Sequence, residues 1–142
     1  MTSAKLLSWA SELIESNNCN EQDSYEQLSN LTIVIPTFCR QDYIVRQISY
    51  WASSKASIII MDGSPESVDD SILLLISTHS NIKYFHLEIS YVDRIRKACD
   101  YIETKYTICL ADDDIYLKEG LCHAIDFMNK RESPIACISR PL

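Results

Sequence analysis

The amino-acid sequence predicts an α/β protein with a Rossmann-like, mostly parallel sheet and helices on both of its faces. Apolar runs rich in β-branched residues alternate along the chain with segments in which apolar residues recur at helical spacing. The runs are apolar throughout, as strands are when both faces of a parallel sheet are covered. Polar or acidic residues follow several of these runs directly, at the positions of strand-to-helix turns.

Strands and helices are predicted in alternation. Five apolar runs are the strand candidates: 31–37, 57–62, 81–89, 106–111 and 134–139. Four other segments carry the apolar stripes of helices, formed by Ile44, Ile48 and Trp51, by Val68, Ile72, Leu75 and Ile76, by Val92, Ile95, Cys99 and Ile102, and by Leu117, Leu121, Ile125 and Met128. Ser67 and Asp70 are placed as a capping pair for the second of these helices.

The segment before the first strand differs from the rest of the chain. Residues 1–18 predict a short amphipathic helix rather than a signal peptide, because one helical face carries Leu6, Trp9, Ala10 and Leu13. Residues 18–30 are polar and lack a period, which is typical of a connector. The expected organisation is therefore a helix and connector over 1–30 and one domain over 31–142.

Composition and charge narrow the classes of function. A net charge of −7 over 142 residues argues against nucleic acid as the main partner, since phosphate backbones select basic surfaces. No apolar run approaches the ~20 residues that span a bilayer. The six cysteines lack the spacing of a zinc site, and Cys99, Cys109 and Cys137 fall at positions expected to be buried. These observations predict a reduced chain that is cytoplasmic or peripheral to the membrane.

Residues at the carboxyl ends of three predicted strands are the candidates for a binding site. Residues 36–40 follow the first strand, residues 62–64 the second, and residues 112–114 the fourth. Parallel α/β sheets bind their ligands beyond this edge. The three segments are therefore expected to lie near one another.

Three consecutive carboxylates, Asp112, Asp113 and Asp114, have two alternative interpretations. Carboxylate oxygens suit Mg²⁺ or Mn²⁺, and Mg²⁺ is usually held by one or two carboxylates together with substrate phosphates. A bound cation would also relieve the repulsion between the acids, which reaches roughly 4 kcal/mol per pair at ~4 Å and an effective dielectric near 20. The alternative is a solvated turn that caps the helix starting near Leu117.

Other candidate residues are equally ambiguous from the sequence. Asp62 can accept hydrogen bonds from a nucleobase or ribose, or cap the turn that follows it. Gly63 is one of only two glycines, which indicates a positive φ or a close approach of another group. Arg94 belongs to a basic cluster near a predicted helix start and can contact phosphate or lie on a solvated face. No histidine lies in a recognisable nucleophile motif, so no catalytic residue is assigned.

The segments LTIVIPTFCR, SIIIMDGSPE and KYTICLADDDIYL together resemble the nucleotide-binding half of inverting, family 2-like glycosyltransferases with the GT-A fold. In that family a strand ends in Pro-Thr, an Asp follows the second strand, and the DxD motif follows the fourth. The resemblance extends from about Leu31 to Met128. It implies a GT-A sheet truncated after about five strands and a nucleoside-diphosphate sugar as donor, with a UDP-sugar expected.

The resemblance also implies roles for individual residues. Those expected to bind the donor nucleotide are Thr37, Phe38, Cys39, Asp62, Gly63, Arg94 and Asp112. Thr37, Phe38 and Cys39 would line the base pocket, and Asp62 would contact the base. Asp112 and Asp113 would address the ribose and the metal-bound diphosphate, with Asp114 as an alternative metal ligand. Mg²⁺ or Mn²⁺ is therefore the expected cofactor.

Two departures from the family pattern affect the expected activity. Ala111 stands where the common form of the motif has an acid, so the two Asp of the DxD pair are not defined. The family's general base lies in segments that would follow Leu142. The expected function is donor binding for inverting transfer to a sugar, lipid-linked glycan or polysaccharide acceptor. The alternative is an inactive nucleotide-binding or regulatory module, its sheet edge covered by a partner chain or a missing C-terminal half.

Overall fold

A computed structural model of the chain describes residues 25–131 and 136. Its strands are β1 (Leu31–Thr37), β2 (Ser57–Asp62), β3 (Ile82–His86) and β4 (Tyr106–Cys109). Its α-helices are α1 (Gln41–Trp51), α2 (Asp70–Ser77), α3 (Tyr91–Ala98) and α4 (Lys118–Asn129). Two 3₁₀ helices, Glu26–Asn30 and Cys99–Tyr101, precede β1 and extend α3. The predicted helix over 1–18 lies outside the described residues, as does the strand over 134–139 apart from Ala136.

The four strands form one parallel sheet in the order β3-β2-β1-β4. The chain moves outward from β1 to β3 and then returns to the opposite side of β1 as β4. β1 and β4 are therefore neighbours in space although they are distant in the sequence. The predicted α/β class, with a Rossmann-like parallel sheet flanked by helices, is confirmed.

Helices cover both faces of the sheet. The larger apolar cluster joins α1, α2 and α4 to one face, where Ile33, Ile35, Ile58 and Ile60 are fully buried. The smaller cluster joins α3 to the other face and includes Val34, Ile59, Met61 and Ala98. Because neighbouring residues of β1 and β2 face opposite clusters, both strands are buried on both sides, as their unbroken apolar runs predicted.

Local details differ from the sequence-based expectations. The cap of α2 is Asp69, whose side chain accepts a hydrogen bond from the Ile72 amide at 3.0 Å, so the predicted capping pair of Ser67 and Asp70 is wrong. Cys99 and Cys109 are exposed, although both were expected to be buried. Cys109 belongs to β4, at one end of the described sheet, and α3 packs mainly on β1 and β2. The Tyr91 hydroxyl of α3 lies 3.9 Å from the Cys109 sulfur but leaves the thiol exposed. Within the described residues, no helix combines the length and apolar character needed to cross a bilayer.

Candidate functional site

The turn after β1 and the acidic turn after β4 are joined by a buried hydrogen bond. The Thr37 hydroxyl donates to Oδ2 of Asp112 at 2.7 Å, across 75 positions of the sequence. Both residues are buried. Their contact lies where the strand order reverses, which is the ligand-binding position of open α/β sheets.

Arg40 places one cationic nitrogen between two carboxylates. Its Nη1 lies 3.0 Å from Oδ1 of Asp112 and 3.1 Å from Oδ2 of Asp113. The hydrogen bonds to Asp112 and Asp113 and the charges of both carboxylates raise the pKa of Arg40. Two oxygens from consecutive acids therefore converge on one point, and that point already accommodates positive charge.

Two side chains of α1 hold the backbone of the acidic turn. Gln47 Nε2 donates to the carbonyl of Asp112 at 2.9 Å and to that of Asp114 at 2.6 Å. Arg46 donates to the carbonyl of Asp113. Neither residue was identified from the sequence. Gln47 interrupts the apolar stripe of α1, and a polar residue in a stripe is the signal that could have found it.

The carboxylate of Asp62 is fully buried and organises the turn after β2. Its Oδ1 accepts the Ser64 amide at 2.8 Å as well as the Ser64 hydroxyl, and its Oδ2 accepts the Tyr84 hydroxyl at 2.7 Å. Burial raises the pKa of the Tyr84 phenol, and the contact with Asp62 adds to the rise. Asp62 therefore caps the turn that follows it, which is one of the two roles predicted for it.

The turn after β1 carries an unusual backbone conformation. Cys39 has a φ of 54°, in the left-handed region that residues with a side chain rarely adopt. Its amide donates to the Ser64 hydroxyl at 2.7 Å, which ties this turn to the one after β2. Phe38 is 56% exposed at the same turn. The predicted base-lining residues therefore occupy one ordered turn, with an aromatic ring open to solvent.

Gly63 lies against the buried guanidinium of Arg94. A Cβ added to Gly63 would lie 1.6 Å from Arg94 Nη1, so the close approach expected of this glycine is present, without a positive φ. Arg94 is 5% exposed, and its Nη1 donates to the Ile89 carbonyl at 2.8 Å. Among residues 25–131, Arg94 forms no ion pair and its Nε–H has no partner. Arg94 thus connects the turns after β2 and β3, and a phosphate could reach it only if the side chain moved.

The acidic turn brings two carboxylates, and not three, to one point. The converging carboxylates belong to Asp112 and Asp113, whereas Asp114 is exposed and contributes its backbone carbonyl to Gln47. Within the described residues, no group of three or more His, Cys, Asp or Glu side chains is arranged to hold a metal ion. Two carboxylates suit Mg²⁺ or Mn²⁺ bound together with phosphates, rather than a site made of protein ligands alone.

No family model, curated protein or solved structure matches the chain. Function must therefore be inferred from the constellation of side chains at the carboxyl edge of the sheet. That constellation joins Thr37, Arg40, Asp112 and Asp113 in one set of contacts.

Proposed function

We propose that this chain is the donor-binding part of an inverting glycosyltransferase and binds a nucleoside-diphosphate sugar through Mg²⁺ or Mn²⁺. The proposal is carried by the convergence of the Asp112 and Asp113 carboxylates on one cationic nitrogen. This point lies beside the end of β1, where the strand order reverses and α/β sheets bind ligands. An acidic protein also needs a cation at such a point, because its own charge would repel a diphosphate.

Asp112 and Asp113 are the proposed cation ligands, with Asp114 as an alternative in the same turn. When bound, the cation would neutralise the diphosphate and stabilise it as the leaving group. Thr37 fixes one oxygen of Asp112 by donating to it, so the second oxygen can face the ligand. Gln47 holds the backbone of the turn, which limits the movement of both carboxylates.

The nucleoside is proposed to lie against the turn that contains Phe38 and Cys39. The exposed Phe38 ring can stack on a base, an interaction worth about 1–3 kcal/mol. Asp62 is fully buried, so we propose that it acts on the base through the turn that it orders, by way of Ser64 and Cys39. Arg94 is proposed to support the same edge by connecting Gly63 to the turn after β3.

Transfer also requires an acceptor and a general base. The proposed acceptor is a hydroxyl of a sugar, a lipid-linked glycan or a polysaccharide, and no residue of this chain is assigned as the base. The cytoplasm is the proposed location, since the exposed thiols of Cys39, Cys99 and Cys109 suit a reducing compartment.

A second candidate is a nucleotide-binding or regulatory module without turnover. One observation favours it: Arg40 already offsets one of the two negative charges of the carboxylate pair. Incubation of the chain with a UDP-sugar and Mn²⁺ separates the two candidates. Release of sugar to water or to an acceptor supports the transferase, whereas tight binding with an intact donor supports the module.

The proposal is tested by calorimetric titration of UDP into the chain with and without Mn²⁺. We expect binding that requires the metal and that weakens by more than about tenfold in Asp113→Ala, because one carboxylate ligand is lost. The double variant Asp113→Ala, Asp114→Ala should show no metal-dependent binding of UDP. Asp100→Ala is the matched control, since this exposed acid pairs with Lys97 of α3 and, within residues 25–131, with no other cation.

If UDP does not bind, GDP and deoxythymidine diphosphate are titrated in the same way. Failure of all three diphosphates to bind the folded chain would contradict the proposal. Binding that is equally tight in Asp113→Ala would place the diphosphate elsewhere and contradict the assignment of the acidic turn.

A further inference from the structure

We propose that Arg40 is an exchangeable counter-ion, which gives up the Asp112 and Asp113 carboxylates when a divalent cation binds and then contacts the diphosphate. This inference rests on the proposed function, because it concerns the same carboxylates. Arg40 would then have two roles. It pairs with the carboxylates before the ligand arrives, and it contacts the phosphates afterwards.

The first step of the argument is the position of Arg40 Nη1. One nitrogen atom lies at hydrogen-bond distance from an oxygen of each carboxylate, at 3.0 and 3.1 Å. A divalent cation held by the same two oxygens requires the same point in space. The guanidinium and the cation cannot occupy this point together, because their positive charges repel each other.

The second step is the ease with which Arg40 can leave. Its side chain is 48% exposed, so release into water requires little change in solvation. Its pair with Asp113 is exposed on both sides and adds little to stability. Asp112 is buried, so its carboxylate needs the incoming cation to replace the guanidinium. The other described contact of the guanidinium is the ring of Tyr43, 5.5 Å from its central carbon. Arg46 differs, because it is bonded to backbone carbonyls of the turn itself.

The third step is the destination of the released side chain. Arg40 immediately precedes α1 and follows the turn of Phe38 and Cys39, so a freed guanidinium stays next to the proposed nucleoside site. A planar guanidinium matches phosphate oxygens in a two-point hydrogen-bonded pair. The displaced charge can therefore bind the diphosphate that arrives with the cation.

The experiment measures Mn²⁺ alone and UDP with Mn²⁺ in wild type and in Arg40→Gln. Without its competitor, the variant should bind Mn²⁺ alone roughly three- to tenfold more tightly. The same variant should bind UDP with Mn²⁺ about tenfold more weakly, because a charged hydrogen bond to phosphate is lost. A residue that exchanges should change the two affinities in opposite directions, tighter for Mn²⁺ alone and weaker for UDP with Mn²⁺. A residue that only stabilises the turn should not.

Two variants provide the controls. Arg96→Gln removes an exposed arginine that pairs with Asp93 on α3, so it makes the same change in net charge away from the carboxylates. Its affinity for Mn²⁺ should equal that of wild type. Arg40→Lys keeps a competing charge and should also bind Mn²⁺ as wild type does, and circular dichroism checks that each variant is folded.

The outcomes distinguish this inference from the proposed function. Equal Mn²⁺ affinity in wild type and Arg40→Gln, with UDP binding intact, would overturn the exchange and leave the donor site standing. Weaker Mn²⁺ binding in Arg40→Gln would also overturn it. No binding of Mn²⁺ or of UDP with Mn²⁺ by any of these proteins would overturn the donor site and the exchange together.

Discussion

Gly63 has no side chain, and Arg94 occupies the space that this leaves. The two residues are 31 positions apart, yet the guanidinium packs directly on the glycine. The rarity of glycine in the sequence predicted either a positive φ or a close approach at this position, and the close approach is the one present. The partner could not be predicted, because Arg94 reaches Gly63 only after α3 has packed against the sheet.

Gly63→Ala should destabilise the protein by about 1–3 kcal/mol, since a methyl group would force the Arg94 guanidinium away from its bond to the Ile89 carbonyl. Urea unfolding measures the change. Gly120→Ala is the control, because a Cβ there meets nothing within 4 Å. It lies inside α4, where alanine should stabilise by about 0.5–1 kcal/mol. A Gly63→Ala variant as stable as wild type would show that Arg94 is free to move.

Tyr84 should make stability depend on pH in the alkaline range. Burial and the Asp62 carboxylate raise its pKa, so the folded protein retains the phenolic proton at a pH where the unfolded chain loses it. The stability that the protonated Tyr84 adds to the folded state is complete below about pH 10. It is lost as the pH rises through the pKa of Tyr84 in the folded protein. Urea unfolding at pH 8 and pH 10.5 should therefore show a smaller decrease in Tyr84→Phe than in wild type.

Tyr84→Phe should also be less stable at pH 8, by about 1–3 kcal/mol, because the buried Oδ2 of Asp62 loses its described donor. Tyr43→Phe, which removes a hydroxyl from a more exposed ring, is the control for both measurements. The assigned role of Tyr84 would be wrong if the two variants showed the same dependence on pH.

Elements of the fold position the acidic turn more than its own sequence does. The turn follows β4, but its backbone carbonyls are bonded to side chains of α1. Gln47 is fully buried and also accepts a hydrogen bond from the Trp51 indole at 3.0 Å. A helix that precedes the turn by more than sixty residues thereby fixes where its carboxylates point.

Gln47→Ala should destabilise the protein by about 2–4 kcal/mol, since two turn carbonyls and the Trp51 indole lose their partner. The affinity for UDP with Mn²⁺ should fall as well, because the turn is no longer held. Gln41→Ala, at the exposed start of α1, should change neither quantity beyond about 0.5 kcal/mol. If Gln47→Ala is destabilised but binds the nucleotide as wild type does, the acidic turn is not part of the donor site.

At the scale of the whole molecule, the described sheet has a protected centre and a weaker side. β1 pairs with both β2 and β4 and lies between the two apolar clusters. β4 is short, ends the described sheet, and exposes Thr107 and Cys109. Stability against local opening should therefore be greatest in β1 and β2 and least in β4.

Hydrogen exchange followed by mass spectrometry tests this difference. Peptides that contain 31–37 and 57–62 should exchange only through global unfolding, whereas those that contain 106–109 should exchange at least about tenfold faster through local opening. Equal protection of β4 and β1 would contradict the assignment of β4 as an edge. An increase in β4 protection on addition of UDP with Mn²⁺ would support a ligand at the adjacent turn.

The sequence by itself determined the α/β class, the positions of the four described strands, and the three segments at their carboxyl ends. These features depend on residues close together in the chain, because burial on both faces produces an unbroken apolar run and a turn residue follows it directly. Caps were less predictable: Ser67 and Asp70 resemble a capping pair, yet Asp69 has the geometry to cap α2.

Only the tertiary structure decided which strands are neighbours and which side chains meet. The order β3-β2-β1-β4 places Thr37 and Arg40 beside the acidic turn. In that turn the carboxylates of Asp112 and Asp113, and not that of Asp114, meet at the Arg40 guanidinium. It also left Cys109 exposed on a strand whose apolar sequence predicted burial. Contacts between distant segments depend on strand order and helix packing, and no local pattern encodes either of these.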